Sequence, residues 1–290
     1  MKNRPFKSIR SNLQQIIEIL ILILIFFISC HLDFSDFFNK FINNPTLSTL
    51  DVLLHIAVLY GKPVSIIITL GIALLCIRNI NKRYVMNKLL VYHAYPFWWY
   101  WFCAKILGIK KCNLILVPIY MQYKLVINSV FDEYPLDDND YPESNDEITI
   151  IEKNTNAGKN EINVILEDTY IINYDQIPAQ KRNLYTIKIS RNNGLSNGRH
   201  FSSCFIESIT NVIRKREFVD IINIYATTNP KNTLYIAKHV FALDNRGNIN
   251  HLYVFQQKKD AGRPFSCKGH KINKIREIKY CFILSPTINF

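Results

Sequence analysis

The hydrophobic pattern divides the chain into long apolar runs in the first third and short apolar runs, separated by polar turns, after it. The first run, Leu13 to Leu32, is almost unbroken aliphatic and aromatic, with one acid, Glu18. About 20 apolar residues form a helix long enough to cross a hydrocarbon core of ~30 Å. A cleaved signal peptide is the alternative, but the run exceeds a typical h-region and no small-residue cleavage site follows it. We therefore expect an uncleaved membrane span over residues 13–32.

A second apolar run, Val52 to Ile77, is interrupted by glycine, lysine and proline at positions 61–63. Extended over residues 58–78, it has the length that a membrane span requires. Pro63 then lies in the first turns of the helix, where its missing N–H matters least. Lys62 lies near the outer boundary, where its ammonium either reaches the headgroups or lines a pore in an oligomer.

Basic residues flank the inner ends of both predicted spans. Residues 1–10 carry four positive charges and no acid, the loop 33–51 carries three aspartates against one lysine, and residues 78–112 carry seven positive charges and no acid. Lys and Arg accumulate on the cytoplasmic side of membrane proteins. The pattern predicts a membrane domain over residues 1–90, with both termini cytoplasmic and the short loop outside.

An aromatic segment, residues 91–111, follows the membrane domain and contains all three tryptophans of the chain. Trp and Tyr concentrate in the headgroup layer, which favours an interfacial segment at the cytoplasmic membrane surface. A buried aromatic core beneath the following domain is the first alternative. A third span is the second, and it would put residues 110–290 outside, against the positive flanks.

From residue 112 onwards, β-branched runs and turn residues predict a domain of strands and helices over residues 112–290. A strand, a helix, a strand and a helix follow one another from residue 184 to residue 243, which predicts parallel strands with a right-handed crossover. The fold class is therefore two N-terminal transmembrane α-helices followed by a cytoplasmic α/β or α+β domain with a mixed sheet. The predicted strands are Leu114–Val117, Tyr123–Ile127, Ile148–Glu152, Ile162–Glu167, Leu184–Ser190, Val219–Ala226, Leu252–Gln256 and Ile278–Leu284, and the predicted helices are Ser203–Arg216 and Thr233–Leu243.

Charge is distributed unevenly along the chain. The 290 residues carry a net charge of +12, with 49% hydrophobic and 20% charged residues, a composition that excludes a disordered polyelectrolyte. Eight acids crowd residues 132–147, which predicts an exposed acidic loop, whereas residues 178–290 carry 19 Lys+Arg against 6 Asp+Glu. This positive field favours a polyanionic partner, such as nucleic acid, a nucleotide or the anionic leaflet, although a solvated basic surface is the simpler alternative.

Catalytic and metal-binding patterns are absent from the sequence. The seven cysteines have no CxxC spacing and the seven histidines form no HExxH, so we expect reduced thiols, no metal site and no cofactor. Asp137 to Asp140 contains a DxD of the kind that glycosyltransferases use, but in an acidic loop with no strand before it. Glu167 and Asp168 end a predicted strand without a second group fixed relative to them, so no catalytic residue is assigned.

The two connections that lead from the predicted strands 184–190 and 219–226 into the following helices are candidates for an anion site, and a plain capped turn is the alternative for the first. Gly194 and Gly198 in the first permit close approach of the backbone, and a helix N-terminus attracts anions in both. The carboxyl ends of neighbouring parallel strands would bring the two connections to one crevice. A third loop, residues 258–272, is basic and could act as a lid or be an ordinary solvated loop. The predicted ligand-binding residues are Arg191, Arg199, Ser202, Ser203, Thr227, Thr228, Asn229 and Lys231.

This layout resembles the two-span membrane effectors of bacterial anti-phage systems, which use cyclic-nucleotide signals. The stretch from Val219 to Phe241, VDIINIYATTNPKNTLYIAKHVF, is similar to the strand–loop–helix of SAVED or CARF sensor domains. The resemblance implies a protein of the bacterial inner membrane that binds a cyclic nucleotide-like ligand, forms homo-oligomers and disrupts or permeabilises the membrane.

Three functions follow from these expectations. The first is a non-enzymatic, ligand-gated effector that acts on the lipid bilayer. The second is a membrane-anchored scaffold that binds anionic lipid or a protein partner. The third is a membrane-bound enzyme that modifies nucleotide sugars or lipids, for which Asp137, Asp140 or Asp168 would be essential.

Overall fold

The computed structural model describes residues 12–32, 34–35, 39–40, 49–89, 91–191, 199–216, 219–242 and 250–272. Three apolar helices come first: α1 (Leu13–Ser29), α2 (Thr49–Leu59) and α3 (Gly61–Asn81). Of these, α3 is long and apolar enough to cross a membrane, whereas α1, with 17 residues, is shorter than that criterion requires. The structure therefore supports one of the two predicted spans by length and composition. As expected, Pro63 lies in the first turn of α3.

Helices α1 and α3 pack against each other through polar side chains. Ser29 Oγ and Thr69 Oγ1 lie 2.5 Å apart, and Asn81 Nδ2 donates a hydrogen bond of 2.8 Å to Glu18 Oε2. Many of the remaining apolar side chains of both helices point outwards and are exposed. Exposed apolar surface of this extent is typical of a contact with lipid or protein.

The segment between the apolar helices and the main sheet contains two short strands and two helices. Strand β1 (Val85–Met86) pairs in parallel with β2 (Lys111–Cys112), and they flank α4 (Phe97–Lys105), while α5 (Ile119–Ile127) follows β2. The predicted strand over residues 123–127 is wrong, because these residues belong to α5, which begins directly after Pro118. A short apolar run fits a buried helix as well as a strand, and a proline at a helix start favours the helix.

The predicted strand Leu114–Val117 is also wrong, because these residues form a turn in which Leu116 has a φ of 59°. A non-glycine residue with positive φ is incompatible with a strand.

Six strands form the main sheet in the order β3-β5-β4-β6-β7-β8. Strands β5, β4, β6 and β7 run parallel, and β3 and β8 are antiparallel at the edges, so the predicted mixed sheet is confirmed. The predicted strand Ile278–Leu284 lies outside the described residues. The strands are β3 (Ile148–Lys153), β4 (Glu161–Glu167), β5 (Tyr185–Arg191), β6 (Ile221–Ala226), β7 (His251–Phe255) and β8 (His270–Lys271).

Helices cover one face of the sheet. Helix α6 (Ser203–Arg214) connects β5 to β6, and α7 (Pro230–Ile236) follows β6 and continues through a π-helical turn to Phe241. These helices share one core with α4, α5 and the side chains of Val164, Ile187 and Ile224. The opposite face carries a smaller core that includes Ile165, Tyr225, Phe255 and, from the β4–β5 connection, Ile172 and Ile177. The connection from β4 to β5 therefore lies on one face of the sheet, and the connections from β5 to β6 and from β6 to β7 lie on the other.

Candidate ligand-binding site

The parallel strands change direction of winding between β4 and β6. The chain passes from β4 to β5 on one side, then returns across β4 to place β6 on the other side and β7 beyond it. In open α/β sheets, ligands bind outside the carboxyl ends of the strands at such a switch point. The two connections predicted to form a crevice follow β5 and β6. These strands were expected to be neighbours, but β4 lies between them.

Asp168, directly after β4, lies at the centre of a buried polar cluster between the two connections. Its carboxylate accepts hydrogen bonds from Arg191 Nε at 2.8 Å and from the Asn229 backbone N–H at 2.9 Å. The side-chain amides of Asn229 and Asn232 donate two more, at 3.0 and 2.9 Å. Burial raises the pKa of the Asp168 carboxyl, and the Arg191 guanidinium counteracts that rise. Asp168 therefore holds the ends of three strands together.

Glu167, the last residue of β4, makes a second set of buried contacts. Its carboxylate accepts a hydrogen bond of 2.6 Å from Ser190 Oγ and lies 2.8 Å from Lys188 Nζ. Both partners belong to β5, so the acid joins the two strands. Neither Glu167 nor Asp168 is free of partners in the way that a general acid or base facing a substrate would be.

The acidic loop, residues 132–147, packs at the carboxyl ends of the parallel strands and pairs with two of the predicted ligand-binding cations. Asp146 Oδ2 lies 3.1 Å from Nη1 of the fully buried Arg191. Asp138 Oδ1 lies 2.7 Å from Lys231 Nζ. Burial disfavours ionisation of Asp146, but hydrogen bonds from Ser144, Arg191 and Ser202 outweigh it, so its pKa is lower than its ordinary value. Arg191 and Lys231 therefore bind carboxylates of this chain.

The predicted serines and asparagine have mainly local roles. Ser202 Oγ caps α6 by accepting a hydrogen bond of 3.3 Å from the Phe205 N–H, and Asn229 caps α7 through the Asn232 N–H. Ser203, the first residue of α6, and Arg199 are exposed. Gly194 and Gly198, which were expected to permit close approach of the backbone, lie outside the described residues.

A cavity of about 500 Å³ lies at the carboxyl ends of β6 and β7, next to the loop that follows β4. Of the predicted ligand-binding residues, Thr227 and Thr228 line it. Its other polar lining residues were not predicted to bind a ligand, and they include three cations and no acid. The complete lining is Ile119, Thr169, Tyr170, Ala226, Thr227, Thr228, Gln256, Gln257, Lys258, Lys259 and Arg263.

The basic wall of this cavity is a loop held in a fixed conformation. The Lys258 N–H donates to the Pro264 carbonyl at 2.8 Å, and Gln176 Nε2 donates to the Gly262 carbonyl at 2.6 Å. Gly262 has a φ of 74°, which favours glycine at this turn. The Arg263 guanidinium lies 5.1 Å from the centroid of the Tyr170 ring, and Tyr170 is 57% exposed. An aromatic face and fixed cations thus stand at one side of the cavity.

Contacts continue from the cavity to the apolar helices. Lys259 Nζ lies 4.9 Å from the centroid of the Tyr92 ring in the aromatic segment. At the end of α4, Arg78 Nη1 of α3 donates a hydrogen bond of 2.6 Å to the Lys105 carbonyl, and Asn81 Nδ2 donates one of 2.9 Å to the Leu107 carbonyl. The cavity and the C-terminal end of α3 are therefore joined through the aromatic segment.

Gly108 brings the chain close to α3 at the same point. Its φ is 76°, and a Cβ there would lie 2.8 Å from Arg78 Cγ and 3.1 Å from Arg78 Cα. A side chain at this position would therefore be opposed both by its own backbone conformation and by the backbone of α3.

The cavity residues that sequence reasoning missed carried weak signals. Tyr170, Gln256 and Gln257 stand directly after or close to strand ends, where α/β proteins bind ligands, but they belong to no motif. Lys258, Lys259 and Arg263 belong to the basic loop for which the sequence leaves open a lid or an ordinary solvated loop. Which of several basic loops faces a cavity depends on the strand order, and the sequence does not specify that order.

Within the described residues, no group of three or more His, Cys, Asp and Glu side chains could hold a metal ion. The DxD aspartates lie on the surface of the acidic loop, where Asp138 contacts Lys231. The cysteines in the described residues are free thiols, and burial raises the pKa of Cys103 to about 12. That thiol is therefore a packing residue rather than a nucleophile.

The family model described as the SMODS- and Ubiquitin system-associated 2TM effector domain matches residues 1–273. No curated protein matches the chain. Two similar solved structures are those of the Acinetobacter baumannii Cap4 SAVED/CARF-domain containing receptor with the cyclic trinucleotides 3'3'3'-cAAA and 2'3'3'-cAAA. They are 10% and 8% identical, with TM-scores of 0.41 and 0.39, over 59% of this chain and 41% and 40% of theirs. The chain thus spans less than half the length of those receptors, and likenesses of this strength do not establish a shared fold.

Proposed function

We propose that this chain, which belongs to the family of SMODS- and Ubiquitin system-associated 2TM effector domains, is a membrane effector that is switched by a phosphate-bearing ligand. The ligand is of cyclic-nucleotide type and binds in the cavity at the carboxyl ends of β6 and β7. Binding favours oligomers that disrupt the bacterial inner membrane during anti-phage defence. The observation that carries the proposal is a basic cavity at the topological switch point of the sheet.

The chemistry of the cavity fits a nucleotide better than other small ligands. Lys258, Lys259 and Arg263 supply positive charge for phosphates, and no acid in the lining opposes it. The amides of Gln256 and Gln257 can hydrogen-bond phosphate, ribose or base edges, whereas the hydroxyls of Thr227 and Thr228 are bonded to the Tyr170 carbonyl and the Thr233 hydroxyl. The exposed face of Tyr170 offers a stacking surface for a base. The volume is within the range of ligand pockets, roughly 300–1,000 Å³.

The predicted Arg191 and Lys231 are assigned to the framework of this site rather than to the ligand, because both pair with carboxylates of the chain. Thr227 is the link between framework and cavity. Its hydroxyl accepts a hydrogen bond of 3.3 Å from the Asp168 backbone N–H and donates one of 2.9 Å to the Tyr170 carbonyl, and its carbonyl accepts from Thr169. The Asp168 cluster thereby fixes both sides of the cavity where the ligand would bind.

A signal from the cavity can reach the membrane through the contacts already described. Binding at Lys259 changes the electrostatic surroundings of Tyr92 in the aromatic segment, which is fixed to the inner end of α3 by Arg78 and Asn81. A ligand can shift an equilibrium only by its differential affinity for the two states. We infer that the assembled state binds the phosphates more tightly, with α1 acting as the second span and both termini cytoplasmic.

Ligand binding is tested with the full chain in lipid nanodiscs and a panel of cyclic di- and trinucleotides, with the shift in melting temperature as the readout. The double variant Lys258→Gln/Arg263→Gln removes two cavity cations, and Lys268→Gln is the matched control on the same loop outside the cavity. A charge-assisted hydrogen bond is worth about 1.5–3 kcal/mol, so each lost contact lowers affinity roughly tenfold or more. Absence of any ligand-induced shift, or equal shifts in both variants, would contradict the proposal.

A further inference from the structure

We propose that the exposed side of α4 is a lipid-contact surface that lies in the headgroup layer of the membrane, independently of any ligand. This surface, called the aromatic stripe, consists of Trp98 and Trp101. They are 63% and 43% exposed, and they lie three residues apart on one side of the helix. The other side of the helix carries Tyr100 and Cys103, both fully buried in the core.

This division of α4 separates the three interpretations that the sequence left open. A transmembrane helix needs about 20 apolar residues, and α4 has nine. Burial of one side in the core of the domain is also incompatible with a helix surrounded by lipid. A purely internal aromatic core would bury Trp98 and Trp101. A helix that packs on the domain with one side and exposes two tryptophans on the other fits an interfacial element.

The position of the stripe relative to the apolar helices identifies lipid as its occupant. The C-terminal end of α4 is bound by Arg78 and Asn81 at the end of α3, the helix long enough to cross a membrane. Trp99 Nε1 also donates a hydrogen bond of 3.4 Å to Asn12 Oδ1, directly before α1. The helix that carries the stripe is therefore attached to the C-terminal end of α3 and to the residue before α1, at the level where a membrane domain meets its headgroup layer.

The surrounding charge favours an anionic leaflet. Residues 78–112 carry seven Lys and Arg residues and no acid. Among them, Lys82 and Arg83 are exposed in the turn that follows α3. Basic residues beside a span are attracted to anionic lipids, with a free-energy gain per residue that falls off within a Debye length.

The three tryptophans of the chain all lie in α4, so tryptophan fluorescence, excited selectively over tyrosine, reports on this helix alone. The full chain is reconstituted in phosphatidylethanolamine/phosphatidylglycerol vesicles with lipids brominated either next to the headgroup or near the end of the acyl chain. The variant Trp99→Phe leaves the two stripe residues as reporters. The double variant Trp98→Phe/Trp101→Phe leaves the half-buried Trp99 as the matched control.

We expect the stripe reporters to lose more emission with bromines next to the headgroup than with deep bromines, and to lose more than Trp99 does. Stronger quenching by the deep bromines would overturn the proposal in favour of insertion into the hydrocarbon. Quenching by aqueous iodide without any by brominated lipid would place the stripe in water. A blue-shifted emission insensitive to both quenchers would place it against protein, such as a second copy of the chain.

Discussion

Removing the charge of Asp168 is expected to destabilise the domain strongly, because this carboxylate holds three strand ends. In Asp168→Asn, the side chain keeps one acceptor oxygen in place of two and presents an NH2 group to the donors of Arg191, Asn229 and Asn232. Breaking a buried ion pair by removing one partner costs about 3–5 kcal/mol. Arg191 retains Asp146 at 3.1 Å, so we expect the lower end, about 3 kcal/mol.

The assay is thermal unfolding of the full chain in detergent micelles, followed by circular dichroism. For a domain of this size, 1 kcal/mol shifts the melting temperature by about 2–4 °C, so the variant should melt about 6–12 °C lower. The matched control is Asp138→Asn. The Asp138 side chain is 90% exposed where it pairs with Lys231, so its loss should lower the free energy of unfolding by about 1 kcal/mol or less. If both variants melt within a few degrees of each other, the buried cluster does not hold the strand ends.

Three further predictions concern the contact between α4 and α3 and the framework of the site. Gly108→Ala should destabilise the contact between the α4 end and α3, because its Cβ would lie 2.8 Å from Arg78, and it should speed proteolysis of that connection; unchanged cleavage would argue against the close contact. The pKa of Asp146 is lower in the folded chain than its ordinary value of 3.8, so this group stabilises the fold fully above pH 3.8 and stops doing so as the pH falls through the folded pKa. In Asp146→Asn, the melting temperature should therefore depend less on pH in the acid range. Ser202→Ala removes the cap of α6 and should lower stability by about 1 kcal/mol. Hydrogen exchange of the Phe205 amide should become faster, and an unchanged exchange rate would show that Ser202 does not cap the helix.

The parallel strands and their helices could be predicted from the sequence because their patterns are local. The runs that became β4 and β6 are largely apolar, the run that became β5 alternates apolar and polar residues, and polar turns bound all three, while α6 shows one apolar stripe. Helix α5 could not be predicted, because nine residues of mixed apolar character fit either a strand or a helix. Capping also depends on a few adjacent residues, and the sequence offers Ser202 or Ser203 as the cap of α6 and Asn232 as the cap of α7. The structure has Ser202 at the first position, but Asn229 rather than Asn232 caps α7.

The arrangement of the candidate site depends on pairs that are distant in sequence. Arg191 is 23 residues from Asp168 and 45 from Asp146, and nothing in the chain's charge pattern indicates that both acids would bind it. The sequence therefore predicted a free cation where the fold has a paired one. Arg263 was not among the predicted ligand-binding residues for the same reason, since its approach to Tyr170 depends on β7 lying beside β6.

Dye release from sealed vesicles tests most directly whether ligand binding in the cavity controls the permeability of the membrane. The full chain, its Lys258→Gln/Arg263→Gln variant and its Lys268→Gln variant are reconstituted at equal density, and release is recorded before and after addition of cyclic di- and trinucleotides. We expect ligand-dependent release in the unaltered chain and in Lys268→Gln, and loss of that release in the cavity variant. Release that needs no nucleotide, or that the cavity variant retains in full, would contradict it.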